Sequence, residues 1–291
     1  MAAGIRNLTV VKIKSEQLQV SYQHLLSAFV MEEAVLAVSE SEEAELFWLK
    51  NDGILSLESY RRKIPCVLEY TLCSDEEFTV RNMIHRMSHI FHNEKKAAFL
   101  WKYRVEKEED VINVFLTGQI QELSIPITLR ITQNTNLQLK PVKKELRLFL
   151  QNDKSIQYLQ YPVEAALAEH FINIMRDLEL LNDLGSYYII YELLRKEMNS
   201  SRKVTEQMEE FVKRAHIQPD QKRFDMLCSY KDSPYMKKRW KNYLKREKKK
   251  TPSFEEIMDI LIAYFTPIWG AFLEGGYYLG DWMPEIGRFI D

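Results

Sequence analysis

The sequence predicts an α+β protein in two segregated parts: a mixed β-sheet with flanking helices, then an all-helical C-terminal region. Three observations predict it. Apolar spacing at the helical period ends near residue 46, short runs rich in β-branched and aromatic residues fill the stretch to residue 150, and the helical period then returns and persists. The expected division is an N-terminal helical region over 1–46, an α/β core over 47–150 and a helical domain over 151–291. With 291 residues and 46% hydrophobic side chains, the chain can bury one large core or two small ones.

Taken in order, Leu25, Leu26, Phe29 and Val30, continuing to Val38, mark a helix that runs into the acidic stretch Glu40 to Glu45. Strands are expected over 47–50, 66–72, 97–105, 112–121 and 125–133. Among them Ser74 and Glu77 form a capping box ahead of the stripe Val80, Met83, Ile84, Met87, Ile90 and Phe91. Later, Pro162 opens a helix with the stripe Val163, Ala166, Leu167, Phe171, Ile174, Met175 and Leu178. A second capping box, Ser253 with Glu256, precedes Ile257, Ile260, Leu261, Tyr264 and Phe265.

The balance of 40 basic against 42 acidic residues leaves a net charge of −2, so no global field points to nucleic acid or membrane. Cys66, Cys73 and Cys228 are odd in number and follow no metal or redox spacing, as expected in a reducing compartment. With no secretory pattern at the start and no uninterrupted apolar stretch of about 18 residues, a cytoplasmic protein without a membrane partner is expected.

Several segments carry a resemblance: Met236 to Lys245, Pro252 to Ile257, Tyr264 to Ile268, Tyr161 to His170, Ile125 to Ile131, and Phe47 to Lys50. In order and spacing, across about residues 20 to 268, they resemble the AbiEii-type nucleotidyltransferase toxins of abortive infection. Those are the toxins of type IV toxin–antitoxin systems in phage defence. The resemblance implies a nucleotidyltransferase-like sheet, a glycine turn on the nucleotide phosphates, and three strand aspartates chelating a divalent metal. Carboxylates serve because they hold Mg²⁺ against phosphate oxygens, and glycines because side chains would block the backbone's approach.

Position by position this sequence departs from that pattern. Asn51 and Asp52 replace the glycine pair, with Gly53 following; Pro65, Cys66, Val67 and Leu68 stand where the aspartate pair belongs, with Cys66 and Leu68 in its register; Arg130 replaces the third aspartate. His170 replaces a lysine, Glu169 survives beside it, and Asp183 to Tyr187 lack the family's arginine, lysine and aspartate. Lys50 and Gly53 remain as candidate nucleotide contacts. The expectation is therefore a pseudoenzyme with no intact catalytic set, metal or cofactor, acting by binding an antitoxin, another protein, or RNA. The rival is an active nucleotidyltransferase toxin that uses Mg²⁺ and a nucleoside triphosphate through Asp52, Glu69 and Glu169. A third reading is a structural subunit whose pocket Arg130 fills.

Three further features have competing readings. His85, His89 and His92 lie on one helix face and could ligate a metal, but Arg81 shares the face and a solvated surface is expected. The basic run Lys237 to Lys250 offers Lys237, Lys238, Arg239, Lys241, Lys245 and Arg246 to RNA or a partner, with Trp240, Tyr243 and Leu244 turned inward. The acidic stretch Glu32 to Glu45 is expected to be solvated, and Tyr277, Tyr278 and Trp282 to pack back on a domain.

Overall fold

The computed structural model describes residues 2–61, 66–92, 99–135, 139–151, 153–247, 249 and 252–290. Pro65 and Lys250, named above, lie outside the described residues. The chain forms two compact units, Met1–Tyr161 and Pro162–Asp291.

The first unit runs α1 (Ala2–Leu18), α2 (Tyr22–Glu40), β1 (Phe47–Leu49), a 3₁₀ turn (Asp52–Leu55), α3 (Leu57–Tyr60), β2 (Val67–Cys73) and α4 (Val80–Ile90). It continues through β3 (Phe99–Glu108), β4 (Val111–Ile120), β5 (Leu123–Asn134), β6 (Val142–Leu148) and β7 (Lys154–Gln160). These strands make one mixed sheet in the order β3-β4-β5-β2-β1-β7-β6. The pairs β2/β5 and β1/β7 are parallel, and the other neighbours are antiparallel.

Helix α2 is apolar around most of its surface, which makes it a core helix rather than a surface one. Its Leu25, Phe29, Val30, Ala34 and Val35 are buried in the same cluster as Leu68 and Tyr70 of β2, Leu129 and Ile131 of β5, and Ile112, Val114 and Leu116 of β4. Gly118 is required where helix and sheet meet: a Cβ there would lie 2.3 Å from the Phe99 ring and 3.0 Å from Val30.

Several details differ from the sequence reading, among them β6, which no expected strand covered. Helix α4 starts at Val80, capped by Thr79, whose hydroxyl accepts from the Asn82 N–H at 3.3 Å; Ser74 instead accepts from the Glu76 N–H in a local turn. On α4, Ile84 is exposed and Arg86 is buried, inverting the expected stripe at those two positions. The sheet also extends past residue 150, since β7 alternates Ile156 and Tyr158 with polar Ser155 and Gln157 in a run too short to separate from the following helix.

The second unit comprises α5 (Val163–Asp177), α6 (Gly185–Lys196), β8 (Asn199–Ser200), α7 (Ser201–Ala215), α8 (Gln221–Ser229) and α9 (Pro234–Arg246). Then come α10 (Phe254–Leu273), β9 (Asp281–Met283) and β10 (Arg288–Ile290). Ser253 caps α10 by accepting from the Glu256 N–H at 3.1 Å. Helix α10 is the one described helix long and apolar enough to cross a membrane by length and composition. Here its Ile257, Leu261, Phe265 and Trp269 are buried in the unit's core, with Phe265 stacked on Phe171 at 3.8 Å. The unit also carries a small sheet ordered β10-β9-β8. Trp282 of β9 is buried and donates its indole N–H to the Leu194 carbonyl at 2.7 Å.

Candidate functional site

The residues singled out by the family resemblance in the first unit gather where β1 ends. The Lys50 N–H donates to the Glu69 carbonyl at 2.8 Å, continuing the β1/β2 ladder by one residue. Asn51 then ends the strand with its side chain. Its Nδ2 donates to the Val67 carbonyl at 3.0 Å, and its Oδ1 accepts from the Glu69 N–H at 2.9 Å. The side-chain amide thus does for β2 what a peptide group would have done, a role that a glycine could not fill.

Asp52 is committed as well. Its Oδ2 accepts from the Tyr158 hydroxyl at 2.6 Å and from Gln160 Nε2 at 3.1 Å. Register places Gln160 beside Leu49, and Tyr158 lies two residues back on the same strand, so both donors share the face that α2 covers. Gly53 is exposed, and a Cβ on it would meet nothing within 4 Å, so the protein's own packing does not require glycine there. Its carbonyl accepts from the Ser56 and Ser59 hydroxyls at 2.8 and 2.7 Å, which closes the turn.

Strands β2 and β5 are adjacent, as the order of the motifs requires, with Glu69 in register with Arg130. Alternation decides what each strand presents. Leu68 is fully buried against the α2 side and Cys66, two residues earlier, shares its parity, so neither position of the expected aspartate register faces outward. On the opposite face stand Val67, Glu69 and Thr71 on β2 and Thr128, Arg130 and Thr132 on β5, with Thr71 itself buried and its hydroxyl 3.3 Å from that of Thr132.

The register extends this into one transverse row: Glu106 on β3, Asn113 on β4, Arg130 on β5, Glu69 on β2 and Lys50 beyond β1. Sequence reasoning had singled out Glu69, Arg130 and Lys50 but missed Asn113 and Glu106. Their only signal is strand pairing, which a single sequence does not print. Lys50 Nζ also lies 4.7 Å from the centre of the Tyr161 ring. No three His, Cys, Asp or Glu side chains converge as a metal site among the described residues. Cys73 is no nucleophile at neutral pH, because burial pushes its thiol up to about 12.

The remaining candidates lie in the second unit. His170 Nδ1 and the Ser186 hydroxyl are hydrogen-bonded at 3.1 Å, and Glu169 beside it is half-buried on α5. On α9, Lys237 pairs with Glu255 at 2.7 Å, Arg246 pairs with Asp183 at 2.8 Å, and Arg239 donates to the Glu179 and Leu181 carbonyls. Lys238, Lys241 and Lys245 stand exposed on one face. The acidic stretch is not wholly solvated: Glu32 is buried, Glu43 pairs with Arg86, and Glu40 pairs with Lys154 at 2.6 Å.

The sequence matches no protein-family profile and no curated relative. Among solved structures it is similar to JHP933 from Helicobacter pylori, at 10% identity and a TM-score of 0.46, over 88% of this chain and 95% of that one. It is also similar to an H. pylori protein described as a "putative nucleotidyltransferase", at 11% identity and a TM-score of 0.42, over 89% of this chain and 100% of that one.

Proposed function

We propose that the first unit is a nucleotidyltransferase-like domain of the AbiEii toxin type that has lost catalysis, and that the protein acts in the cytoplasm by binding a protein or RNA partner. The observation that carries this reading is the register of Glu69 with Arg130. Nucleotidyl transfer needs two or three carboxylates on one face to hold Mg²⁺ against triphosphate oxygens. At the centre of the outward row a guanidinium stands beside a single carboxylate. The row's other acid, Glu106, is three strands from Glu69, about 14 Å at ordinary strand spacing. Asp52, two residues after Lys50, is held by donors of the opposite face.

The test is a transfer assay. The full chain is incubated with Mg²⁺ or Mn²⁺, each labelled nucleoside triphosphate, total RNA and total protein. No incorporation above background is expected. Incorporation that disappears in Glu69→Gln would establish a working enzyme and overturn the reading.

A further inference from the structure

We infer that the cavity between helix α2 and the sheet is a binding site for a small uncharged molecule, a single apolar ring carrying one hydrogen-bond acceptor such as a carbonyl. This goes beyond the binding reading above and does not rest on it. The cavity holds about 200 Å³ and is walled by Val35 and Val38 of α2, Phe47 and Leu49 of β1, and Tyr70 of β2. Its exposed lining residues are Glu45, Lys143 and Gln157, so it opens to solvent among them. An apolar cavity of about 150 Å³ already admits benzene, so this one has room for a ring and a short substituent.

Tyr70 supplies the recognition. It is 2% exposed, and its hydroxyl is buried with no hydrogen-bond partner among the described residues. It shares the α2 side of β2 with Leu68, and side chains stand roughly perpendicular to a sheet. Its hydroxyl end therefore reaches toward α2, where Val35 and Val38 close the cavity. The wall's other hydroxyls are committed: Ser39 donates to the Leu36 carbonyl at 2.9 Å and Tyr158 to Asp52 at 2.6 Å. Burial pushes the pKa of the Tyr70 hydroxyl well above its ordinary value, so the group stays a proton donor. Buried polar groups nearly always have a partner. A water beside Tyr70 would meet one hydroxyl among apolar walls, short of the two to four polar partners that hold a buried water.

The walls select the rest of the ligand. Glu45 and Lys143 bring one charge of each sign to the opening, so neither an anion nor a cation is favoured there. A charged group carried inward would exchange its water for a single hydroxyl. A nucleobase would bring several donors and acceptors against Val35, Val38, Phe47 and Leu49, and all but one would stay unpaired. A ring with one acceptor leaves nothing unpaired. Its faces lie against the valines and Phe47, and its oxygen takes the Tyr70 proton.

Ligand-observed NMR titration of the full chain tests this with three probes. They are acetophenone, α-methylstyrene, which has the same shape with a methylene in place of the carbonyl oxygen, and benzoate. Acetophenone should bind saturably, and benzoate more weakly by about tenfold or more. Tyr70→Phe should lower the affinity for acetophenone relative to α-methylstyrene by about fivefold. In that ratio the different hydration of the two probes cancels, as does any general change in the cavity. The same variant removes an unpaired hydroxyl, so its melting temperature should not fall; a fall would mean that the hydroxyl already has a partner and would overturn the proposal. Val38→Phe, which fills the cavity, should abolish binding of both neutral probes, and Val38→Leu, a smaller intrusion that the fold tolerates more readily, should weaken both. No saturable acetophenone binding would leave only water in the cavity and overturn the proposal. So would an affinity ratio unchanged in Tyr70→Phe, benzoate binding as tightly as acetophenone, or acetophenone binding indifferent to both Val38 changes.

Discussion

Glu32 and Tyr60 share a hydrogen bond of 2.6 Å, and both side chains are fully removed from solvent. Burial pushes the Glu32 carboxyl up from 4.5 to about 7, and the bonds to Tyr60 and Leu150 and the charge of Lys14 offset only part of that cost. The neutral acid fits the site. The Tyr60 hydroxyl donates to one oxygen of the acid, and the other oxygen accepts from the Leu150 N–H.

Stability should therefore depend on pH in a stated direction. The folded pKa lies above the unfolded one, so the folded state binds the proton more tightly. Its contribution is complete below pH 4.5 and is lost as pH rises through about 7. The difference is on the order of 3 kcal/mol. Glu32→Gln removes the titrating group while keeping the side chain's size and one acceptor oxygen for the Tyr60 and Leu150 donors. It should be less favourable relative to the wild type at pH 5 than at pH 8, flattening the slope of denaturation midpoints with pH. Glu33, raised in the same sense by burial, should leave a residual slope. A slope unchanged in Glu32→Gln would assign the pH dependence elsewhere.

Arg86 is a second buried charge. It is 7% exposed and joins Glu43 and Glu76, the latter at 2.6 Å, so α4 is tied to the segment after α2 and to the loop after β2. Removing one partner leaves Glu43 half-buried without its cation. Arg86→Met should cost about 3 to 5 kcal/mol in chemical denaturation, and Glu76→Gln, whose side chain is 61% exposed, well under 1 kcal/mol. Equal costs would mean that the outer pair contributes as much as the inner one.

How far the sequence could be read follows from how local each signal is. Apolar period located α2, α5 and α10, and β-branched runs located β1 to β5, because both patterns are written within one element. Thr79 won over Ser74 as a cap, and β6 and β7 escaped notice, because burial elsewhere decided between locally equal choices. The motif order placed β2 beside β5, yet not which side chains face outward: with Leu68 against α2, the outward parity falls on Glu69. The roles of Asn51 and Asp52 were illegible, since the atoms that hold them, on Val67, Tyr158 and Gln160, are up to 108 residues away.

The histidine column bears on metal binding. The His85 and His89 rings lie 4.4 Å apart, and His92 Nδ1 lies 3.1 Å from the His89 carbonyl, within hydrogen-bonding distance. All three are exposed, so a bound ion would keep most of its water and few protein ligands. Untagged protein should carry no stoichiometric transition metal by elemental analysis. One equivalent of zinc, lost in His89→Ala, would refute this.

Helix α9 divides its residues between core and surface, and the two sets should respond differently to substitution. Trp240 is 2% exposed, donates its indole N–H to the Pro252 carbonyl at 2.9 Å, and packs against Tyr243 at 5.0 Å. Trp240→Ala should cost about 3 to 5 kcal/mol, partly because the Pro252 carbonyl loses its donor. Lys241 and Lys245 are exposed, so Lys241→Glu with Lys245→Glu should change stability by no more than about 0.5 kcal/mol per site. If this face binds RNA, that same pair should lower the affinity and reduce the slope of log K against log salt by roughly one to two. Lys237→Gln and Arg246→Gln, whose cations are already paired with Glu255 and Asp183, should reduce it less. A tryptophan variant of unchanged stability that no longer binds RNA would make the ring a stacking platform, contrary to its burial. RNA binding indifferent to all of these changes would remove α9 from the interface.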